Sequence, residues 1–105
     1  MVPATVPETR EESKVKRQPP YNVILENDDH HSMEFVVEVL KKVFSYPMEK
    51  CVQLMMQAHE TGRSVVWTGA KEVAELKHEQ IVTCHEKRNG TDLGPLGCFI
   101  EPAPG

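Results

Sequence analysis

Residues 26 to 35 read ENDDHHSMEF, so that Glu26, Asp28, Asp29, His30 and His31 crowd together just ahead of Ser32 and an apolar stretch. Four chemistries are open to such a run. Zinc ligation needs donors that converge, commonly two on one helix face four residues apart and a third from elsewhere. Adjacent His30 and His31 are expected to point apart, and His59 would supply only one more ligand, so no metal is assigned. General acid/base work needs a substrate handle, and no Gly-rich phosphate loop, nucleophile elbow or spaced Cys–His pair lies nearby. No catalytic residue, no enzyme activity and no cofactor is therefore assigned. A structural role is simpler: Asp28 and Asp29 favour the positive end of a following helix, and Asn27 can form an Asx-turn. The fourth option is a cradle for a cation, with Asn27 and Asp29 as acceptors at the mouth of an apolar pocket. Taken by itself, the run fits the structural role best.

The elements that must position these residues follow from periodicity. YNVILEN alternates Tyr21, Val23 and Leu25 with Asn22, Ile24 and Glu26, which is a strand. Ser32 can cap a helix that carries Met33, Val36, Val37, Leu40, Val43 and Phe44 at steps of three and four. Pro47 suits the first turn of a second helix through Cys51, Val52, Met55, Met56 and His59, closed by Gly62. RSVVWTG reads as a second strand. A third helix is expected from about Ala70 to Asn89, with Val73, Leu76 or Lys77, Gln80, Ile81 and Cys84 inward, stopped by Asn89-Gly90. A TDLGPLG loop leads to a last strand, CFIE. The order β-α-α-β-α-β predicts an α/β (α+β) fold, a small two-layer sandwich of a three-stranded antiparallel sheet and three helices. In that fold Met33 and Val36 on one helix would face Met55, Ala58 and His59 on the next. An apolar pocket with acceptors at its rim suits an ammonium borne on a bulky apolar group.

Bulk properties bound the rest. At 105 residues the chain is one small domain with a modest core. Its formal net charge of −4 disfavours a nucleic-acid partner. No apolar run approaches the ~20 residues of a bilayer span, and the first residues lack the layout of a secretory signal. A cytoplasmic setting without membrane contact is expected. Cys51, Cys84 and Cys98 are widely spaced and are read as reduced, buried residues. Residues 1–19 alternate acidic with basic groups and carry little apolar surface beyond valine. They are expected to form a disordered N-terminal tail, since they cannot bury enough surface to offset ordering. The folded domain is expected over 20–105.

NVILENDDHHSMEFVVEVLKKVF followed by LMMQAHETGRSVVW resembles the ClpS family of protease adaptors, and KEVAELK and GPLGCFIEP fit the end of that domain. The resemblance covers roughly residues 20 to 101 and implies a cytoplasmic, monomeric adaptor rather than an enzyme. Such adaptors bind proteins that begin with Leu, Phe, Tyr or Trp, the bacterial N-degron. They deliver them to the N-domain of a AAA+ unfoldase, ClpA-like or ClpC-like, which feeds the ClpP peptidase. By position, the resemblance implies that Asn27, Asp29 and His59 bind the substrate's α-ammonium. It implies that Met33, Val36, Met55, Ala58 and Leu96 line the side-chain pocket, with Leu25 and His31 at its edge. Glu72 and Lys77 would meet the unfoldase, and the tail would act in delivery. The alternative is a ClpS-like peptide-binding module with altered or lost N-terminal specificity.

Four residues, at three places, depart from the commoner family pattern. Glu26 ends the strand where an aliphatic residue is usual, His31-Ser32 replaces Thr-Pro, and Ala58 replaces valine. The loss of two methyl groups at Ala58 predicts a wider pocket that favours large aromatic residues or discriminates less.

Overall fold

The computed structural model describes residues 18–104. The elements are β1 (Tyr21–Glu26), α1 (Met33–Phe44), α2 (Met48–Thr61), β2 (Arg63–Gly69), α3 (Lys71–Val82), β3 (Lys87–Arg88), β4 (Thr91–Asp92) and β5 (Cys98–Pro102). The tail expected over residues 1–19 lies, as far as residue 17, outside the described residues. The expected strands and helices are all present, in the expected order, with one short hairpin added. β1 is the central strand of a β2-β1-β5 sheet and runs antiparallel to both neighbours. Three helices pack against the sheet, and the fold is the two-layer α+β sandwich that the periodicity predicts.

Burial explains why β1 is central. Val23 and Leu25 join the helix-facing core, while Ile24 is fully buried on the other side between its register partners Val65 and Phe99. The core continues through Val39, Leu40 and Val43 of α1, Cys51 and Ala58 of α2, Val66 of β2, and Ala74 and Ile81 of α3. β2 carries one extra residue, because Val23 pairs with Trp67 and Ile24 with Val65. That bulge leaves the Val66 carbonyl off the ladder, and the Tyr46 hydroxyl donates to it at 2.8 Å. Ser32 caps α1 by accepting from the Phe35 N–H (3.1 Å). Gly62, at φ 98°, closes α2 as expected, in a conformation that a Cβ would strain.

α3 departs from expectation in length and in phase. It stops at Val82, not at Asn89. Asn89 and Gly90 have φ of 53° and 79°, the mark of a two-residue turn that joins β3 to β4. The Asn-Gly pair therefore closes a hairpin rather than a helix. Val73 and Leu76 point outward, 38% and 50% exposed, and Gln80 is exposed too; Ala74 faces the sheet instead, beside Ile81, which is inward as expected. A residue as small as Ala74 at 0% exposure lets the helix lie close to the strands, and that contact sets the phase. On α1 the buried stripe includes Val39, which the three-and-four spacing passed over, and Met33 is 44% exposed.

Candidate functional site

The loop from Asn27 to Ser32 joins the central strand to α1, and it is pinned at several points. The Glu26 N–H donates to the Gly97 carbonyl (2.9 Å) and the Asn27 N–H to the Gly62 carbonyl (3.0 Å). These two bonds fix the start of the loop against the segment before β5 and against the end of α2. Asp28 then folds the loop on itself. Its Oδ1 accepts from the His30 and His31 N–H groups at 3.0 and 2.8 Å. The Asx-turn expected at Asn27 thus sits one residue on, at Asp28, because that carboxylate has two backbone donors ahead of it. At the far end Glu86 accepts from the Ser32 N–H (2.9 Å) and the Ser32 hydroxyl (2.8 Å). Arg88 donates to both Glu86 (3.1 Å) and the His30 carbonyl (3.0 Å).

His31 is the most tightly held side chain of the loop, only 1% exposed. Its Nδ1 lies 2.7 Å from Asp28 Oδ2 and its Nε2 lies 2.9 Å from the Gly94 carbonyl oxygen. Phe35 of α1 stacks on the ring, with centroids 5.6 Å apart. Burial alone would push the imidazole pKa down. The bonds to Gly94 and Asp28, with the charges of Asp28 and Glu86, outweigh it and hold the pKa above its ordinary value of about 6.5. Burial likewise raises Asp28, but the donors of His31 and His30 outweigh it and hold the carboxyl below its usual range. Glu86 is also held low: the Ser32 and Arg88 donors overcome its burial. The rings of His30 and His31 lie 4.6 Å apart rather than diverging, because both residues are gathered over the same carboxylate. Asp28, His30 and His31 bring ligand-type atoms within 4.8 Å of one another. Both oxygens of Asp28 and both ring nitrogens of His31 are, however, already spent on hydrogen bonds.

Beside this loop is a cavity of about 200 Å³. Its floor and walls are Leu25 of β1, Met33 and Val36 of α1, Met55 and Ala58 of α2, and Leu96 from the segment before β5. Its rim is Asn27, Asp29, His31 and His59, to which the structure adds Glu26 and Asp28. All ten residues expected at the pocket or its edge come together here. Asn27, Asp29 and His59 are exposed at the mouth, while Leu25, Met55, Ala58 and Leu96 are buried. Neither lysine nor arginine lines the cavity. The arrangement offers oxygen acceptors to a cation and an apolar hole, larger than the ~150 Å³ that holds a benzene ring, to whatever the cation carries.

Glu72 and Lys77 lie apart from the cavity, on α3. Glu72 is exposed in the first turn, whereas Lys77 is half-buried and donates to the Val43 carbonyl at the end of α1 (2.9 Å). Of the cysteines, all free, Cys51 is buried and Cys84 and Cys98 are half-buried. Burial, with the charge of Glu26, pushes the Cys98 thiol up to about 12, which disfavours its thiolate form. Among the described residues no helix is long and apolar enough to cross a membrane. Glu86, Arg88 and Gly94 were not expected at the site. No local spacing points to residues more than fifty positions from the loop they hold; only the Asn-Gly hairpin signal bore on where they would fall.

Comparison with known proteins follows the same lines as the geometry. A profile described as "ATP-dependent Clp protease adaptor protein ClpS" matches residues 16–98. The chain is 43% identical over 97 residues to a protein named ATP-dependent Clp protease adapter protein ClpS from Pectobacterium carotovorum, spanning 90% of this chain and 88% of that one. It is 40% identical over 92 residues to a protein of the same name from Vibrio atlanticus, spanning 88% and 83%. Among solved structures it is similar to Agrobacterium tumefaciens ClpS2 bound to L-phenylalaninamide. The TM-score is 0.73 at 33% identity, covering 83% of this chain and all of that one.

Proposed function

The chain belongs to the ClpS family of ATP-dependent Clp protease adaptors, and from that premise we propose that it selects cargo by a free, bulky, hydrophobic N-terminal residue. It is an adaptor and not an enzyme. The observation that carries the proposal is the joining of an apolar cavity of about 200 Å³ to a rim of carboxylate, amide and imidazole groups. An α-amino group has a pKa of about 7.7–8.0 and is mostly charged at neutral pH. In this reading Asn27 and Asp29 accept from the three N–H groups of that ammonium, and His59 completes the set. The side chain of Leu, Phe, Tyr or Trp enters between Met33, Val36, Met55, Ala58 and Leu96. Met33 and Met55 suit a pocket that serves several shapes, because unbranched thioether chains repack readily. The related Agrobacterium protein is described as bound to L-phenylalaninamide, a free amine on a benzyl-bearing carbon, and that ligand fits the same division of labour here.

Discrimination follows from hydrogen-bond energetics. A bond to a charged group contributes about 1.5–3 kcal/mol, and an exposed acceptor that a bound ligand covers without pairing costs a similar amount. An acetylated N-terminus brings no charge and only one N–H in place of three, and an internal Leu or Phe fails for the same reason. Delivery of the cargo to the N-domain of a AAA+ Clp unfoldase, in the cytoplasm, completes the proposal, with Glu72 and Lys77 on the contact face. Isothermal titration with L-phenylalaninamide and its N-acetyl derivative tests the selection step. Binding of the free amine alone supports it, and equal heats from both compounds refute it.

A further inference from the structure

His31 is placed so that only its doubly protonated form satisfies both of its neighbours. The Gly94 carbonyl can only accept, so Nε2 must carry a proton. The Asp28 carboxylate, ionised, can also only accept, so Nδ1 must carry one as well. A neutral ring would set one lone pair against another within a side chain that is 1% exposed. The two acceptors belong to the two segments that build the cavity. Asp28 organises the loop bearing Asn27 and Asp29, and Gly94 lies two residues before Leu96 in the cavity wall. Gly94 is itself set by Asp92, which accepts from the Gly94 N–H at 2.7 Å and pairs with His85 at 3.1 Å.

We propose that His31, as an imidazolium, is a positioning residue for the ammonium cradle: it clamps the Asn27–Ser32 loop to the Gly94–Leu96 segment and releases it on deprotonation. The inference rests on the proposed N-terminal selection and adds a pH-dependent element to it. The groups that face His31 are Asp28 and His30 from its own loop and Glu86 from the segment after α3, itself paired with Arg88. The net field is anionic and keeps the ring charged; Phe35 of α1 contributes only its ring face. Binding and protonation are then reciprocal: a ligand that needs the ordered loop must raise the His31 pKa when it binds.

The test measures the affinity of a Phe-first peptide between about pH 6 and pH 8.5 for the wild-type protein and for His31→Asn. The ligand's own amine titrates identically in both, so it cancels in the ratio of affinities. The expected result is a wild-type advantage of about tenfold at the acid end that shrinks toward one at the alkaline end. A flat ratio overturns the proposal. So does a ratio that grows with pH, which would mean that the imidazolium mainly repels the ligand's ammonium. Asp28→Asn supplies a second variant. Its amide can keep the turn through Oδ1 and donate to an unprotonated Nδ1, so a neutral His31 then fits its site and the pH dependence due to the ring should vanish. Ring ¹⁵N shifts of His31 give a readout that needs no ligand. Two protonated nitrogens at about pH 6.5, lost in Asp28→Asn, are expected, and a neutral ring in the wild type refutes the proposal. Failure of the peptide to bind at any pH would instead refute the N-terminal selection, while the ring shifts would still report on the clamp.

Discussion

Replacing Ala58 by valine should invert the preference of the pocket. Ala58 is 3% exposed and lines a cavity of about 200 Å³. A cavity of ~150 Å³ already holds a benzene ring, so a phenylalanine side chain fits with room left over and an indole fills the site. Two added carbons on the α2 wall remove that room. For an indole the result is overpacking, at a cost of about 1–3 kcal/mol. For a leucine side chain, which leaves the wild-type cavity underfilled, the same carbons add contact worth up to ~0.8 kcal/mol each. The Trp-to-Leu affinity ratio should therefore fall by roughly thirtyfold, about 2 kcal/mol. The assay is competition, by peptides beginning with Leu, Ile, Phe or Trp, against a labelled Phe-first peptide bound to each protein. A melting curve of Ala58→Val checks that the core, to which Ala58 also belongs, has held. A ratio that stays within about threefold of wild type refutes the assignment of Ala58 as a pocket wall. A strong wild-type preference for Leu over every aromatic would refute the wider-pocket argument itself.

Asp29→Ala should weaken a free Phe-first peptide by roughly ten- to a hundredfold, the worth of one charged hydrogen bond, while changing stability by less than about 0.5 kcal/mol, because the side chain is exposed; titration and thermal melts check both. Stability should depend on pH with opposite signs at its two ends. His31 is raised, so its contribution is complete below about pH 6.5 and is lost as pH rises through the higher folded value. Asp28 and Glu86 are lowered, so theirs are complete above about pH 4.5 and are lost as pH falls through the folded values; Tm profiles of wild type and His31→Asn should converge on the alkaline side. Gly69→Ala would set a Cβ against Cη2 of Trp67; the indole must swing out, at a cost of about 1–3 kcal/mol, and emission from the chain's single tryptophan should shift to the red.

How far the sequence could be read depended on the range of the signal. The strands, the three helices and the caps at Ser32 and Gly62 rest on local periodicity and turn chemistry, and these were legible. Met33, Val36, Met55, Ala58 and His59 were legible because they lie on helix faces that could be counted, whereas Leu25, His31 and Leu96 were named only by the resemblance. What was misread depended on choices between two local rules. Asn89-Gly90 ends helices and also closes hairpins, and only the pairing of Lys87 with Asp92 decides between them. Val73 and Leu76 looked inward on apolar character, yet the close approach through Ala74 turned them out. Asp28 was passed over for Asn27 because the two backbone donors that select it lie within the loop's own geometry. The role of His31 was beyond sequence reading altogether, since its second partner is a backbone carbonyl 63 residues away and no residue type marks a carbonyl.

The central claim is that the rim reads a free amine and the cavity reads its side chain. Fluorescence anisotropy with a short peptide beginning with Phe, beside its N-acetylated twin and an Ala-first control, tests both halves at once. The account predicts micromolar binding, about −8 kcal/mol, for the free Phe peptide and at least tenfold weaker binding for the other two. Equal binding of all three, or tight binding of the acetylated peptide, would contradict it.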